Sequence, residues 1–191
     1  MCTLPLSFSL LFSSYPEQQI REDLTICVRR HRPDVVFTWH PEWQLDLQPG
    51  EGWDDLGFHP DHQAVGALAV ATTLGPSAGD GYMFPSLARA GLKPFGVSQI
   101  FLWTLQGFSH YFNISNPNTV QAKIASLLAH RTQFPSEDAV SEDVRMLGSR
   151  AADMAGVSGP GGVQYAELFY RICIFSDCAI GPDETRRRLF V

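Results

Sequence analysis

Two histidines, separated by a proline and an aspartate, stand at the start of an alanine-rich apolar run in the segment FHPDHQAVGALAVA. Neutral imidazole is a good zinc ligand, and a neighbouring carboxylate can accept the second ring N–H and fix the orientation of the ring. His59, Asp61 and His62 are therefore candidates for metal binding and proton transfer. The alternative is a helix N-terminus that Asp61 caps, with two ordinary surface histidines.

The other histidines lie in less informative surroundings. His40, in TWHPE, ends a predicted strand and is either a site residue or a polar strand terminus, and Glu42 is the nearest carboxylate. His130 lies near the end of a predicted helix, where a cation suits the helix dipole, so we expect a structural role. His31, in RRHRP, is expected to have the same structural role at a helix end, and His110 lies in a polar stretch before a short predicted strand and is expected to have no chemical role.

The elements around the HPDH box predict an α/β protein. Residues 6–12 form a short apolar run, residues 16–31 show helical spacing, and residues 34–40 form a β-branched and aromatic run. Strand, helix and strand joined by short connections are typical of a parallel sheet. A glycine-rich loop over residues 42–58 leaves the carboxyl end of the second strand, where such sheets place ligand sites, and leads to the box.

The rest of the chain continues the same alternation. A helix runs from the box to about residue 74, with Gly66 allowing close packing, and strands are predicted at 97–104 and 110–115. Two helices follow, marked by apolar residues between 120 and 131 and between 140 and 154. Residues 163–175 are predicted to close the chain as a helix, or as a helix that leads into a strand.

Composition limits the classes of function. A chain of 191 residues with 45% hydrophobic and 18% charged residues predicts a single globular domain over residues 1–191. A formal charge of -6 without a basic stripe argues against nucleic acid as a partner. No run approaches the roughly 18 apolar residues that span a bilayer. The apolar N-terminus lacks a basic start and a small-residue cleavage site, so we expect a cytoplasmic protein.

Four segments resemble the LmbE-like, PIG-L-type family of zinc-dependent N-acetylglucosaminyl de-N-acetylases: RPDVVFTWHPE, FHPDHQAVG, FNIS with AKIASLLAHRTQF, and YAELFYR. The resemblance implies a Rossmann-like α/β fold, with a mostly parallel sheet flanked by helices, and one catalytic Zn²⁺. It also implies a small-molecule amino-sugar conjugate as substrate. By motif position, His62 corresponds to a zinc ligand, His59 to an acid or oxyanion stabiliser, and Asp61 to the carboxylate that supports them.

The sequence also departs from the pattern of this family. Family members begin with a strand that ends in a His-Pro-Asp-Asp-Glu box, which supplies two further zinc ligands and the general base. The present sequence has no such box and starts near the family's third strand, so the N-terminal βαβ part is expected to be truncated. His40, Glu42, Asp54 and Asp55 are the nearby substitutes, and an exposed sheet edge favours a homo-oligomer.

Two functions are therefore compatible with the sequence. The first is a zinc-dependent hydrolase that removes the N-acetyl group from an N-acetylglucosamine-type amino sugar. The second is a catalytically inactive remnant, or an interaction module, of the same fold. Zinc binding by the chain distinguishes the two.

Overall fold

The computed structural model describes residues 16–42, 60–79, 83–105, 107–134 and 136–174, and the backbone of residues 189–190. The chain divides into two compact units, one formed by residues 1–106 and 170–191 and the other by residues 107–169. His59, Asp54, Asp55 and the predicted strand at residues 6–12 lie outside the described residues.

The first unit holds the segments that the sequence places around the HPDH box. Its elements are α1 (Glu17–His31), β1 (Val35–Trp39), α2 (Pro60–Leu74), α3 (Pro85–Arg89), β2 (Gln99–Trp103) and β5 (Leu189–Phe190). Strand β4 (Ala166–Cys173) contributes its second half to this unit. The predicted helix at 16–31 and the predicted strands at 34–40 and 97–104 agree with α1, β1 and β2.

The sheet of the first unit has the strand order β4-β2-β1-β5. β1 and β2 run parallel and pair residue for residue, from Val35 opposite Gln99 to Trp39 opposite Trp103. β5 is parallel to β1 and pairs with its first two residues. The N–H of Ile174, just after β4, donates to the carbonyl of Ser98, just before β2, at 3.0 Å. The end of β4 thus lies beside the start of β2, so these two strands are antiparallel.

The predicted α/β class is confirmed, but the prediction of a mostly parallel sheet holds only for β5, β1 and β2. Strand direction depends on the end of the sheet at which the preceding connection arrives. The residue pattern of a strand does not encode that end, so the direction of β4 was not readable from its sequence. An antiparallel edge strand on a parallel sheet is a common arrangement in α/β folds.

The core of the first unit forms where helices cover the parallel strands. Val28 of α1, Val36 of β1 and Val97 are buried together, and Phe95 and Ile174 pack against them. Helix α2 packs against both α1 and β1. Its carboxyl-terminal half buries Leu68, Thr72 and Thr73.

The second unit contains β3 (His110–Asn113), α4 (Pro117–Leu128), α5 (Glu137–Met154) and the first half of β4. β3 pairs antiparallel with β4. Asn116 caps α4 and Ser136 caps α5, each by a side chain that accepts a backbone N–H. The two helices bury valines and an isoleucine at a spacing of four residues, as the sequence predicted: Val120, Ile124, Val140 and Val144.

Two boundaries differ from the sequence prediction. The closing segment is a strand and contains no described helix, because its run of aromatic and β-branched residues suits a sheet. Helix α4 ends at Leu128, so His130 and Arg131 lie in the turn that follows and not in the helix. None of the helices among the described residues is both long and apolar enough to cross a bilayer.

Candidate functional site

The parallel strands β1 and β2 end in two tryptophans at the same edge of the sheet. Trp39 and Trp103 are register partners, so parallel pairing brings their side chains together. Their rings meet edge to face, with centroids 4.7 Å apart and planes inclined by 74°. The pairing extends one residue further, since the N–H of His40 donates to the carbonyl of Trp103 at 3.1 Å. This edge is the position at which α/β sheets bind ligands.

His62 reaches this edge from the first turn of α2. Its imidazole lies flat on the indole of Trp39, with ring centroids 3.9 Å apart and ring planes within 4° of parallel. Both side chains are half-buried. The second histidine of the HPDH box therefore lies beside the carboxyl end of the preceding strand.

Gly66 explains how α2 comes so close to β1. It is buried one turn after His62, and a Cβ atom at this position would lie 2.4 Å from the carbonyl oxygen of Trp39. Only a residue without a side chain permits this backbone contact. The sequence prediction of close packing at Gly66 is correct, and the contact fixes the height of His62 above the strand end.

The other end of α2 is held by a buried arginine. The guanidinium of Arg29, which is 3% exposed, donates to four backbone carbonyls in the segments that follow α2 and α3: Pro76 at 2.7 Å, Gly79 at 3.1 Å, Leu92 at 3.2 Å and Ser77 at 3.4 Å. Burial lowers the pKa of Arg29, although a guanidinium stays protonated at neutral pH. Helix α2 is thus fixed at both ends.

His40 and Glu42 lie just beyond β1, next to the tryptophans. The Nδ1 atom of His40 accepts the backbone N–H of Glu42 at 3.2 Å, which closes a local turn. The His40 ring also meets the ring of Tyr170 edge to face, at 6.2 Å between centroids. Because Nδ1 accepts this N–H, the ring proton lies on Nε2, which can donate a hydrogen bond but offers no lone pair to a metal. This arrangement is that of a polar strand terminus.

The described side chains do not complete a zinc site by themselves. A catalytic zinc needs three protein ligands, and within residues 16–42, 60–79, 83–105, 107–134 and 136–174 no three His, Cys, Asp or Glu side chains are grouped. Asp61 shares the first turn of α2 with His62, where a carboxylate also suits the helix dipole. His59 lies outside the described residues, so the roles of His59, Asp61 and His62 stay predictions.

Sequence reasoning missed the aromatic part of this site. The residue pattern places Trp39 and Trp103 in strands but does not indicate that their rings meet each other and His62. The available signal was the position of each tryptophan as the last residue of a parallel strand, at the edge of the sheet where ligands bind.

The α/β fold is similar to that of several proteins of known structure. The structure resembles that of N,N'-diacetylchitobiose deacetylase from Pyrococcus horikoshii, with a TM-score of 0.63 and 24% identity, over 84% of this chain and 54% of that one. It also resembles the conserved protein TT1542 from Thermus thermophilus, with a TM-score of 0.53 and 25% identity, over 82% of this chain and 62% of that one.

A third similar structure is that of GalB, the 4-carboxy-2-hydroxymuconate hydratase from Pseudomonas putida KT2440. Its TM-score is 0.56 with 15% identity, over 84% of this chain and 61% of that one. No protein-family model and no curated protein sequence matches the chain. The chain thus spans between half and two thirds of the length of these three proteins, and the likeness establishes the fold. A fold that serves both a deacetylase and a hydratase does not determine the reaction.

Proposed function

We propose that the chain belongs to a zinc-dependent hydrolase that removes the N-acetyl group from an N-acetylglucosamine-type amino-sugar conjugate. The observation that carries the proposal is the position of His62, which lies on Trp39 at the carboxyl edge of two parallel strands. The likeness to a chitobiose deacetylase shows that a protein of this fold can carry out such a reaction. The resemblance of the HPDH segment to de-N-acetylases supports the reaction class.

Zinc, when bound, would polarise the amide carbonyl and activate a water. In this proposal His62 contributes one nitrogen ligand. The other ligands must come from further residues, because the described residues contain no group of three metal-binding side chains. His40 and Glu42 are adjacent in the chain to the strand end, and Asp54 and Asp55 lie outside the described residues.

The first experiment is the zinc stoichiometry of the purified 191-residue chain after dialysis. We expect about one zinc per chain, lost in His62→Ala and retained in His130→Ala. His130 is a matched control because it is an exposed histidine in the turn after α4. Release of acetate from N-acetylglucosamine conjugates is then measured on the zinc-loaded chain. A folded chain that binds no zinc contradicts the proposed zinc dependence.

The alternative is a non-catalytic module of the same fold. One observation favours it, namely that the described residues bring no three metal-binding side chains together. A non-catalytic module would release no acetate under any metal condition but would still gain thermal stability when an amino sugar binds. Acetate release that disappears with His62→Ala would contradict this alternative.

A further inference from the structure

We propose that Trp39 is a positioning residue for His62, because its indole face holds the plane of the His62 imidazole at the carboxyl edge of the sheet. The inference rests on the proposed function in assigning His62 to the reaction. It goes beyond that function by naming a residue, outside the HPDH box, that determines where the nitrogens of His62 point.

The stacking restricts the one soft rotation of a histidine side chain. Rotation of an imidazole about its Cβ–Cγ bond is broad and weakly restrained. With centroids 3.9 Å apart and planes within 4° of parallel, the His62 ring lies in face contact with the indole of Trp39. A rotation away from this plane would drive one edge of the imidazole into the indole, so the face contact opposes it.

This contact orients the ring without consuming a nitrogen. The lone pair and the N–H of an imidazole lie in the plane of the ring, so a partner on the ring face engages neither of them. Histidine ligands are usually oriented by a hydrogen bond to the second nitrogen. Trp39 adds an orienting contact of a different kind, and both nitrogens of His62 are directed along the indole surface.

Trp39 can hold another ring only because its own position is fixed. Its indole and that of Trp103 meet edge to face, with ring centroids 4.7 Å apart, and its backbone lies in the β1–β2 ladder opposite the same residue. Its carbonyl oxygen contacts Gly66 of α2, the helix that carries His62. The sheet thus fixes Trp39, and Trp39 in turn fixes the plane of His62.

Two substitutions at Trp39 separate positioning from general packing. Trp39→Leu keeps an apolar side chain but removes the aromatic face, whereas Trp39→Phe keeps a smaller face and is expected to rescue part of the effect. Tyr170→Leu is the matched control, since it removes an exposed aromatic ring that contacts His40 and not the ring of His62. Thermal denaturation of each variant confirms that the full chain is folded.

The direct measurement is the NMR spectrum of the imidazole protons of the full chain at one fixed pH, with the His62 signal assigned by its loss in His62→Ala. Stacking on an indole shifts these protons upfield through its ring current. We expect the upfield shift to disappear in Trp39→Leu, to be partly retained in Trp39→Phe, and to persist in Tyr170→Leu, which should move the His40 signal instead. An unchanged His62 signal in folded Trp39→Leu overturns the inference.

The kinetic measurement uses acetate release from an N-acetylglucosamine conjugate. We expect Trp39→Leu to lower kcat by about 10- to 100-fold, the usual loss when a group that orients a metal ligand is removed, with KM little changed and Trp39→Phe intermediate. A Trp39→Leu enzyme with normal kcat overturns the inference. If the unmodified chain itself releases no acetate, the proposed hydrolase is contradicted, while the NMR comparison still decides the role of Trp39.

Discussion

At the scale of single residues, the carboxyl edge of β1 brings two imidazoles next to aromatic rings, His62 on Trp39 and His40 against Tyr170. The HPDH motif identifies His62 by its spacing, and the structure places His62 against Trp39 at a strand end. His40, which the sequence left open between a site residue and a strand terminus, uses Nδ1 in a local turn. The chemistry of this edge therefore depends on a histidine and an aromatic face together. The roles proposed for His59, as an acid or oxyanion stabiliser, and for His62, as a zinc ligand, can be tested separately.

The substitution His59→Ala tests the proposed division of labour between the two histidines of the box. His59 is expected to act on the transition state as an acid or oxyanion stabiliser, which typically contributes about 10²- to 10⁴-fold in rate. We therefore expect zinc stoichiometry to stay near that of the unmodified chain while kcat for acetate release falls by such a factor. Normal turnover would remove His59 from the mechanism, and loss of zinc would reassign it as a ligand.

The substitution Arg29→Met tests the anchor at the far end of α2. The substitution removes the hydrogen bonds that four backbone carbonyls accept from the guanidinium. Each buried polar group left without a partner lowers the free energy of unfolding by about 1–3 kcal/mol. We expect a loss of unfolding free energy of at least that size in urea denaturation. Arg30→Met is the control, because Arg30 is the exposed neighbour in the same helix, and its effect should stay within about 0.5 kcal/mol. Equal effects in the two variants would contradict the anchoring role.

At the scale of elements, the sequence was sufficient where periodicity and local signals act within one segment. The spacing of apolar residues located α1, β1, α2 and β2, and Gly66 correctly indicated a close helix approach. The stack of His62 on Trp39 was not predictable, because it depends on the relative rotation of a helix and a strand. For β4 the sequence predicted a strand only as a continuation of a helix, and it did not predict the strand direction, because the pairing partners of a strand decide both.

The substitution Gly66→Ala tests the contact between α2 and β1. On propensity alone, alanine would stabilise a helix by roughly 1 kcal/mol relative to glycine. Here the new Cβ atom would lie 2.4 Å from the Trp39 carbonyl oxygen, so the helix must move, and overpacking of this kind costs about 1–3 kcal/mol. We expect lower stability in urea denaturation and a displaced His62 signal by NMR.

Gly75→Ala provides the matched control for that substitution. Gly75 is exposed just after α2, and a Cβ atom added there would lie 3.1 Å from the carbonyl oxygen of Ala71, its nearest neighbour. A small shift accommodates that contact, so the stability should change little and the His62 signal should stay in place. A Gly66→Ala variant as stable as Gly75→Ala would show that α2 does not depend on this close approach.

At the scale of the whole molecule, the two units have separate buried clusters. Val28, Val36 and Val97 belong to the first unit, and the cluster around Ile124 belongs to the second. The resemblance to de-N-acetylases includes segments in both units, whereas the candidate site described above lies in the first. A ligand that binds at His62 should therefore stabilise the chain unevenly.

Hydrogen exchange with and without zinc measures how much zinc stabilises each of the two units. A ligand that binds only the folded state stabilises it by about 2.7 kcal/mol at a concentration of 100 Kd. We expect amide protection to rise most in β1, β2 and α2, which carry Trp39, Trp103 and His62, and least in α4 and α5. His62→Ala should abolish the rise, whereas His130→Ala should leave it intact. A uniform rise, or one confined to α4 and α5, would place the metal elsewhere and remove the carboxyl edge of β1 and β2 from the proposed site.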